Sequence, residues 1–189
     1  MSTTVKMLVT LGVIGVISGG FLSGINDWAA PLIEQHRIEE TKAAIFEVVP
    51  NATDYELVNP SQFEVFKVFD KGKEQIGYAL PFEGNGFQGK IRLMIGINSD
   101  LKNITGLKIL EQLETPGLGA KVAEEPFTNQ FLNLSAVPSV NYVKGISPEN
   151  PNEIQAITGA TISSKSVVNI VNVGIDALRK MQGKGGENE

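Results

Sequence analysis

The segment from Thr158 to Ser164 places four hydroxyl side chains around a Gly-Ala pair, just ahead of a helical pattern. These hydroxyls belong to Thr158, Thr161, Ser163 and Ser164. The first turn of a helix carries unpaired backbone N–H groups and the positive end of the helix dipole. Phosphate groups bind well at such positions, so the segment is a candidate phosphate site. Ser and Thr are also the usual helix N-caps, and plain capping is the alternative interpretation.

The rest of the chain supplies few residues for self-contained catalysis. It has no cysteine, which excludes a thiolate nucleophile, a disulfide and a Cys-ligated zinc or iron–sulfur site. The single histidine, His36, follows an apolar segment closely, and we interpret it as an exposed residue on a connecting helix. A threonine hydroxyl is a poor nucleophile without a base beside it. We therefore predict no catalytic residue and no metal site in this chain.

Composition narrows the class of protein. The 189 residues are enough for one domain of ordinary size, and 42% hydrophobic residues allow a packed core. The net charge of −5 argues against a nucleic-acid partner, because neutralising phosphates requires clustered Lys and Arg.

Residues 7–25 contain no charged side chain, and about 20 apolar residues are needed to span a bilayer as a helix. Lys6 before this segment and Trp28 after it predict that the N-terminus lies inside and the bulk of the chain outside the cytoplasmic membrane. A cleaved signal peptide is the alternative, with Ser18 and Gly19 among the small residues near a cut. Both interpretations export the domain, and we favour a retained single-pass anchor.

The remaining pattern predicts an α+β domain with a mostly antiparallel sheet and flanking helices. Strands are predicted at 63–69, 75–80, 89–97 and 104–113, with short ones at 141–145 and 154–157. Helices are predicted at 27–49, 120–132 and 162–181. The glycine-rich stretch 84–89 lacks the order of a phosphate-binding loop and predicts a tight turn.

Two segments resemble motifs of the FMN-binding domain family. The segment Thr158-Gly159-Ala160-Thr161-Ile162-Ser163 resembles the family's Ser/Thr-Gly-Ala-Thr-x-Ser/Thr motif, and Glu114-Thr115-Pro116-Gly117-Leu118-Gly119 is similar to a second motif residue for residue. A third stretch, Gly86-Phe87-Gln88-Gly89, resembles the family's Gly-Tyr/Phe-x-Gly. The family includes the G subunit of the Rnf electron-transport complex and the C subunit of the sodium-pumping NADH:quinone reductase. The resemblance runs from about residue 63 to residue 181, behind one anchor.

The resemblance implies a covalent cofactor. In this family the FMN phosphate is joined to the Thr after Gly-Ala, which is Thr161 here, and a separate flavin transferase makes the bond. The other cofactor-binding residues it implies are Thr158, Gly159, Ala160, Ser163, Ser164, Glu114, Thr115, Gly117, Leu118 and Gly119. We expect the hydroxyls of Thr158, Ser163 and Ser164 to donate hydrogen bonds to the phosphate. We expect the 114–119 loop to line the isoalloxazine, with Leu118 on its face.

The implied function is that of a membrane-anchored electron-transfer subunit in an Rnf-type complex, which couples ferredoxin/NAD electron transfer to ion movement. Its partners would be other membrane subunits, the flavin transferase and the lipid bilayer. The implied parts are a cytoplasmic tail and anchor (1–25), a connecting helix (26–50), an FMN-binding domain (51–182) and a polar tail (183–189). Three alternatives remain: a C-type subunit of the quinone reductase, an anchored binding domain without cofactor, and a reductase that holds FMN noncovalently.

Overall fold

The computed structural model describes residues 2–58 and 63–183 of the chain. The chain forms two compact units, and the division between them falls between Glu40 and Thr41. The first unit consists of the greater part of a long helix, α1 (Thr3–Val48), and the second contains the end of α1 and every strand. The predicted domain division at residue 51 stays a prediction. The predicted polar tail, 183–189, lies outside the described residues except for Gly183.

The predicted anchor and connecting helix form one continuous element, α1, with Pro31 inside it. An 18-residue window of α1 has a mean hydropathy of 2.0 and is not buried, so the helix is long and apolar enough to cross a membrane. The helix ends where Pro50 follows Val48 and Val49, because proline cannot supply the next N–H to the helix ladder.

The second unit is built on a six-stranded antiparallel sheet in the order β1-β2-β3-β4-β5-β6. The strands are β1 (Asp54–Val58), β2 (Val65–Phe69), β3 (Gln75–Asn85), β4 (Lys90–Asn98), β5 (Asn103–Gln112) and β6 (Leu134–Ser135). Two further strands, β7 (Asn141–Lys144) and β8 (Glu153–Ala156), pair with each other in parallel. The last helix, α3, runs over Thr161–Met181. The predicted α+β class with a mostly antiparallel sheet is confirmed.

The two faces of the sheet are covered by different helices. Along β4, Leu93 and Ile95 point to the core shared with α3, whereas Met94 points to a second core shared with the end of α1. This alternation follows from the two-residue period of a strand. Close approach of α3 is possible because Gly84 in β3 has no Cβ, which would lie 2.6 Å from Cγ1 of Ile170.

The end of α1 is hydrogen-bonded to strands β4 and β5 on the face of the sheet that α3 does not cover. Thr105 donates its hydroxyl hydrogen to the carbonyl oxygen of Val48 at 2.7 Å, and Arg92 donates to Thr41 Oγ1 at 2.6 Å. Gly96 and Gly106 lie opposite each other on neighbouring strands and leave room for the backbone at Val48. The end of α1 is therefore an integral part of the second unit.

One local prediction is wrong, and another has its bounds changed. The helix predicted at 120–132 is instead a 3₁₀ turn (Gly119–Ala123), a short helix α2 (Glu125–Thr128) and a second 3₁₀ turn (Asn129–Phe131). Glu124 between the first two has an extended backbone, and Pro126 has no N–H to continue the ladder. The turn predicted at 84–89 is shorter, because β3 extends through Asn85 and pairs there with Lys90.

Candidate functional site

A tight turn leads from β8 into α3. The backbone N–H of Ala160 donates to the carbonyl oxygen of Ile157 at 3.0 Å, and Gly159 has a φ of +83°. A positive φ at the third residue is what a type II turn requires, which explains the glycine. The helix begins at Thr161, and its N-cap is Ala160, without a capping hydrogen bond from a side chain. The interpretation of the hydroxyl segment as plain capping is therefore wrong.

The Ser164 hydroxyl fastens this turn to the helix. It accepts the backbone N–H of Ile157 at 3.0 Å and donates to the carbonyl oxygen of Ala160 at 3.0 Å. The side chain is fully buried. Its single hydroxyl hydrogen is thus already directed to a protein acceptor.

The Ser163 hydroxyl is directed to another segment of the chain. It donates to the carboxylate oxygen Oε2 of Glu114, and both side chains are buried. The other carboxylate oxygen, Oε1, accepts the backbone N–H groups of Phe87 at 2.8 Å and Gln88 at 3.1 Å. We call Glu114, the Ser163 hydroxyl and these two N–H groups the Glu114 clasp. It joins the β3–β4 turn, the start of the 114–119 loop and the first turn of α3.

The Glu114 clasp stabilises an ionised carboxylate. Burial raises the pKa of Glu114, but hydrogen bonds from Ser163 and from the backbone at Gln88, Phe87 and Gly89 outweigh burial and bring the pKa below its ordinary value of 4.5. The carboxyl group is therefore an anion near neutral pH.

Two glycines make room for the Glu114 clasp. A Cβ on Gly119 would lie 2.7 Å from Ser163 Oγ and 2.9 Å from Glu114 Oε2, and a Cβ on Gly86 would collide with Glu114 Oε1. Gly86 also closes the β3–β4 turn, since its N–H donates to the carbonyl oxygen of Gly89 at 2.7 Å. Glycines in two of the three segments that resemble family motifs thus leave space for the Glu114 carboxylate.

The 114–119 loop contains a second turn of the same kind. Leu118 donates its N–H to the carbonyl oxygen of Thr115 at 3.1 Å, with Pro116 and Gly117 between them. Gly117 has a φ of +74°, and Pro followed by Gly is the preferred pair for a type II turn. The two turns are neighbours, since Leu118 Cδ2 lies 3.4 Å from the position that a Cβ on Gly159 would take.

The four hydroxyls of the 158–164 segment form two pairs that differ in whether they donate a hydrogen bond within the protein. Ser163 and Ser164 are committed to protein acceptors. Within the part of the chain that the structure describes, the hydroxyls of Thr158 and Thr161 form no hydrogen bond. Thr158 is exposed in the turn, whereas Thr161 is half-buried at the first position of α3. Of the two, Thr161 is the one at the positive end of the helix dipole.

Exposed apolar side chains flank these segments. They are Phe87 (61% exposed), Leu113 (74%), Leu118 (48%) and Ile162 (56%). Leu118 was predicted from the sequence, but Phe87, Leu113 and Ile162 were not. Phe87 lies in Gly86-Phe87-Gln88-Gly89, which resembles a family motif, and this resemblance could have identified it. The glycines alone predict a turn but not an exposed aromatic side chain beside the site.

The structure brings the predicted site residues together, because both predicted segments meet at the start of α3. The residues implied by the resemblance differ in accessibility: Thr158, Gly159, Gly117 and Leu118 are exposed, whereas Glu114, Gly119 and Ala160 are buried. His36 lies exposed on α1, in the first unit.

Comparison with known proteins identifies the family of this chain. Residues 86–176 match the model of the FMN-binding domain. The G subunit of an ion-translocating oxidoreductase complex from Methanosarcina acetivorans is 31% identical to this chain, over 94% of this chain and 96% of that protein. The chain belongs to the G-subunit family of ion-translocating oxidoreductase complexes. Another member of the G-subunit family, from the Na⁺-translocating ferredoxin:NAD⁺ oxidoreductase complex of Acetobacterium woodii, is 33% identical over 93% of this chain and 92% of its own length.

The C-type alternative is the weaker one for this member of the G-subunit family. The C subunit of the Na⁺-translocating NADH-quinone reductase of Yersinia pestis is 29% identical, but over 58% of this chain and 43% of its own length. Solved structures of such C subunits show the same fold. That of Shewanella oneidensis has a TM-score of 0.56 at 23% identity, covering 66% of each chain. That of Parabacteroides distasonis has a TM-score of 0.55 at 25% identity, covering 72% of this chain and 80% of its own.

Proposed function

We propose that Thr161 carries FMN through a phosphoester bond, and that the chain passes electrons as an anchored subunit of a ferredoxin:NAD⁺ oxidoreductase complex that moves ions. Membership of the G-subunit family and the match to the FMN-binding domain support the class of cofactor. Relatives named as subunits of ferredoxin:NAD⁺ oxidoreductase complexes support the reaction of the complex.

One observation favours Thr161 over the other hydroxyls of its segment. Thr161 combines an unoccupied hydroxyl with a place at the first position of a 21-residue helix. Ser163 and Ser164 donate their hydroxyl hydrogens to Glu114 and Ala160, and Thr158 lies in the turn before the helix. An ester on Thr161 Oγ1 therefore breaks none of the hydrogen bonds that hold the turn.

The chain's own residues fit a phosphate and a flat apolar group. The backbone N–H groups of the first turn of α3 are free of side-chain caps and would hold the phosphate, with the helix dipole favouring its charge. Ser164 and Ser163 would act indirectly, by holding the turn and the helix start in place. Leu118 and Ile162 offer exposed apolar surface beside Thr161 for the ring system. Bound FMN supplies the one- and two-electron chemistry, while the protein sets its position and surroundings.

A covalent link explains how the chain could function outside the cytoplasm, where a dissociated flavin is not readily replaced. We propose that residues 7–25 span the cytoplasmic membrane, with the domain on the extracytoplasmic side and the other membrane subunits beside it. A periplasmic reporter enzyme fused after residue 183 tests the sidedness. We expect the periplasmic reporter to be active. If a reporter that works only in the cytoplasm is active at the same position instead, the domain lies on the cytoplasmic side.

The test of the attachment is flavin fluorescence in a denaturing gel. The full chain is expressed with and without a flavin transferase, together with Thr161→Ala and Thr158→Ala. We expect a fluorescent band for the wild type and Thr158→Ala, only with the transferase, and none for Thr161→Ala. A colourless wild-type protein would support an anchored domain without cofactor. Yellow protein that releases its FMN on denaturation would support noncovalent binding.

A further inference from the structure

Glu114 begins the loop that the resemblance assigns to the flavin, yet both oxygens of its carboxylate already accept hydrogen bonds from the protein. Oε1 accepts two backbone N–H groups, from Phe87 and Gln88, and Oε2 accepts the Ser163 hydroxyl. The side chain is 4% exposed. Three protein donors, low exposure and two glycines packed against the carboxylate argue that it holds the protein together rather than a ligand.

The partners of Glu114 explain what the carboxylate does. They lie in two segments of the candidate site: the β3–β4 turn that exposes Phe87, and the first turn of α3 that carries Thr161. The 114–119 loop that exposes Leu118 starts at Glu114 itself. Hydrogen bonds to an ionised group are stronger than those between neutral groups. One buried anion therefore holds three flavin-facing segments in a single arrangement.

We propose that Glu114 is a positioning residue of the flavin site, which holds the Phe87 turn and the Leu118 loop against the start of α3 without contacting the cofactor. This inference rests on the proposed attachment of FMN to Thr161. Attachment and positioning are separable, because Glu114 does not touch the Thr161 hydroxyl. Loss of the Glu114 clasp leaves the acceptor in place but removes the fixed surface that the tethered ring would meet.

The test compares wild type, Glu114→Ala, Ser163→Ala and Glu114→Gln, each expressed as the full chain with a flavin transferase. Covalent loading is read from fluorescence in a denaturing gel. Ring orientation is read from the visible circular dichroism and the fluorescence anisotropy of the native protein, because a tethered flavin that rotates freely loses both signals. Asn172→Ala is the matched control: Asn172 lies on the same helix, and its amide makes two hydrogen bonds of 2.8 Å with the backbone of Val140.

We expect wild-type loading in every variant, with loss of dichroism and anisotropy in Glu114→Ala and Ser163→Ala. Glu114→Gln should retain most of both signals, because its amide oxygen can accept the Phe87 and Gln88 N–H groups and its NH₂ can donate to Ser163. Asn172→Ala should match the wild type. If Glu114→Ala does not fold, Ser163→Ala carries the same test, with Glu114→Gln as the conservative control.

Three results would overturn the inference. Unchanged flavin signals in Glu114→Ala and Ser163→Ala would show that the Glu114 clasp does not orient the ring. An equal loss in Asn172→Ala would mean that general loosening of α3 is responsible. Loss of loading in Glu114→Ala, with its fold intact, would place Glu114 in attachment. Absence of FMN from the wild type would instead refute the proposed function, on which the inference rests.

Discussion

The hydroxyl of Ser163 donates a hydrogen bond to Oε2 of Glu114, which lies 49 residues earlier in the chain. This contact joins the two motif segments into one site, because Glu114 begins the first segment and Ser163 ends the second. The same carboxylate accepts the N–H groups of Phe87 and Gln88 in a third segment. One buried carboxylate thus connects three separate stretches of the sequence by hydrogen bonds.

Removing the Ser163 hydroxyl should destabilise the second unit. Ser163→Ala leaves Oε2 of a buried carboxylate without its donor, and an unpaired buried group of this kind costs about 1–3 kcal/mol. Chemical denaturation of the full chain in detergent, followed by circular dichroism, measures the change. Thr158→Ala is the control, because the Thr158 hydroxyl is exposed, and its free energy of unfolding should stay within about 0.5 kcal/mol of wild type. Equal losses in the two variants would contradict the account.

Gly119 should be intolerant of a side chain because of the Glu114 clasp. Gly119→Ala places a Cβ 2.7 Å from Ser163 Oγ, and such overpacking costs about 1–3 kcal/mol. Ser163→Ala removes that oxygen, so the double variant should lose less stability than the sum of the single losses. Gly117→Ala meets no atom within 4 Å, and its cost should add to that of Ser163→Ala. Additivity in both pairs would mean that Gly119 is needed for another reason.

Stability should fall on acidification in a way that depends on Glu114. Its pKa is lower in the folded chain than the ordinary value of 4.5, so the unfolded chain binds more protons in the acid range. The stabilisation is complete above the unfolded pKa and is lost as the pH falls through the folded pKa. Glu153 is half-buried and also has a lowered pKa, through hydrogen bonds from the side chain and backbone of Asn150.

The measurement for Glu114 is therefore a difference between proteins. Melting temperatures of wild type and Glu114→Gln are compared from about pH 7 to about pH 3. Glu114→Gln should have the shallower decline in acid, and Glu153→Gln provides the correction for the contribution of Glu153. Parallel curves for wild type and Glu114→Gln would show that the Glu114 carboxylate does not contribute.

The second unit should need the end of α1 to fold. Ala44, Ile45, Val48 and Val49 are buried against the sheet, and complete burial of a side chain such as Ile45 contributes about 1.5–3 kcal/mol. A chain that begins at residue 41 should therefore be monomeric and fold cooperatively, whereas one that begins at residue 51 should aggregate. Size-exclusion chromatography and thermal melts compare the two. A stable monomer from residue 51 would support the domain boundary predicted from the sequence.

The sheet and the last helix could be predicted from local patterns. Alternation of apolar and polar residues in a strand, and an apolar stripe along a helix, are both visible within a short stretch of sequence. The strands around residues 63–113 and the helix ending at Met181 were found this way. The helix predicted at 120–132 is wrong, because the extended backbone at Glu124 and the missing N–H of Pro126 interrupt it. Hydrogen bonds between residues far apart in the sequence could not be predicted. Nothing near Ser163 in the sequence shows that its hydroxyl donates to Glu114. The Ser163 hydroxyl, expected from the sequence to donate to a phosphate, donates to Glu114 instead, and we infer a supporting role for both residues.

The central claim is that FMN is attached to Thr161, and peptide mass spectrometry tests it most directly. The full chain is produced with a flavin transferase and digested, and the peptide that contains residues 158–164 is fragmented. We predict that the mass of the FMN phosphoester lies on Thr161 in wild type and in Thr158→Ala, and that it is absent from Thr161→Ala. The added mass on Thr158, Ser163 or Ser164, or its persistence in Thr161→Ala, would contradict the account.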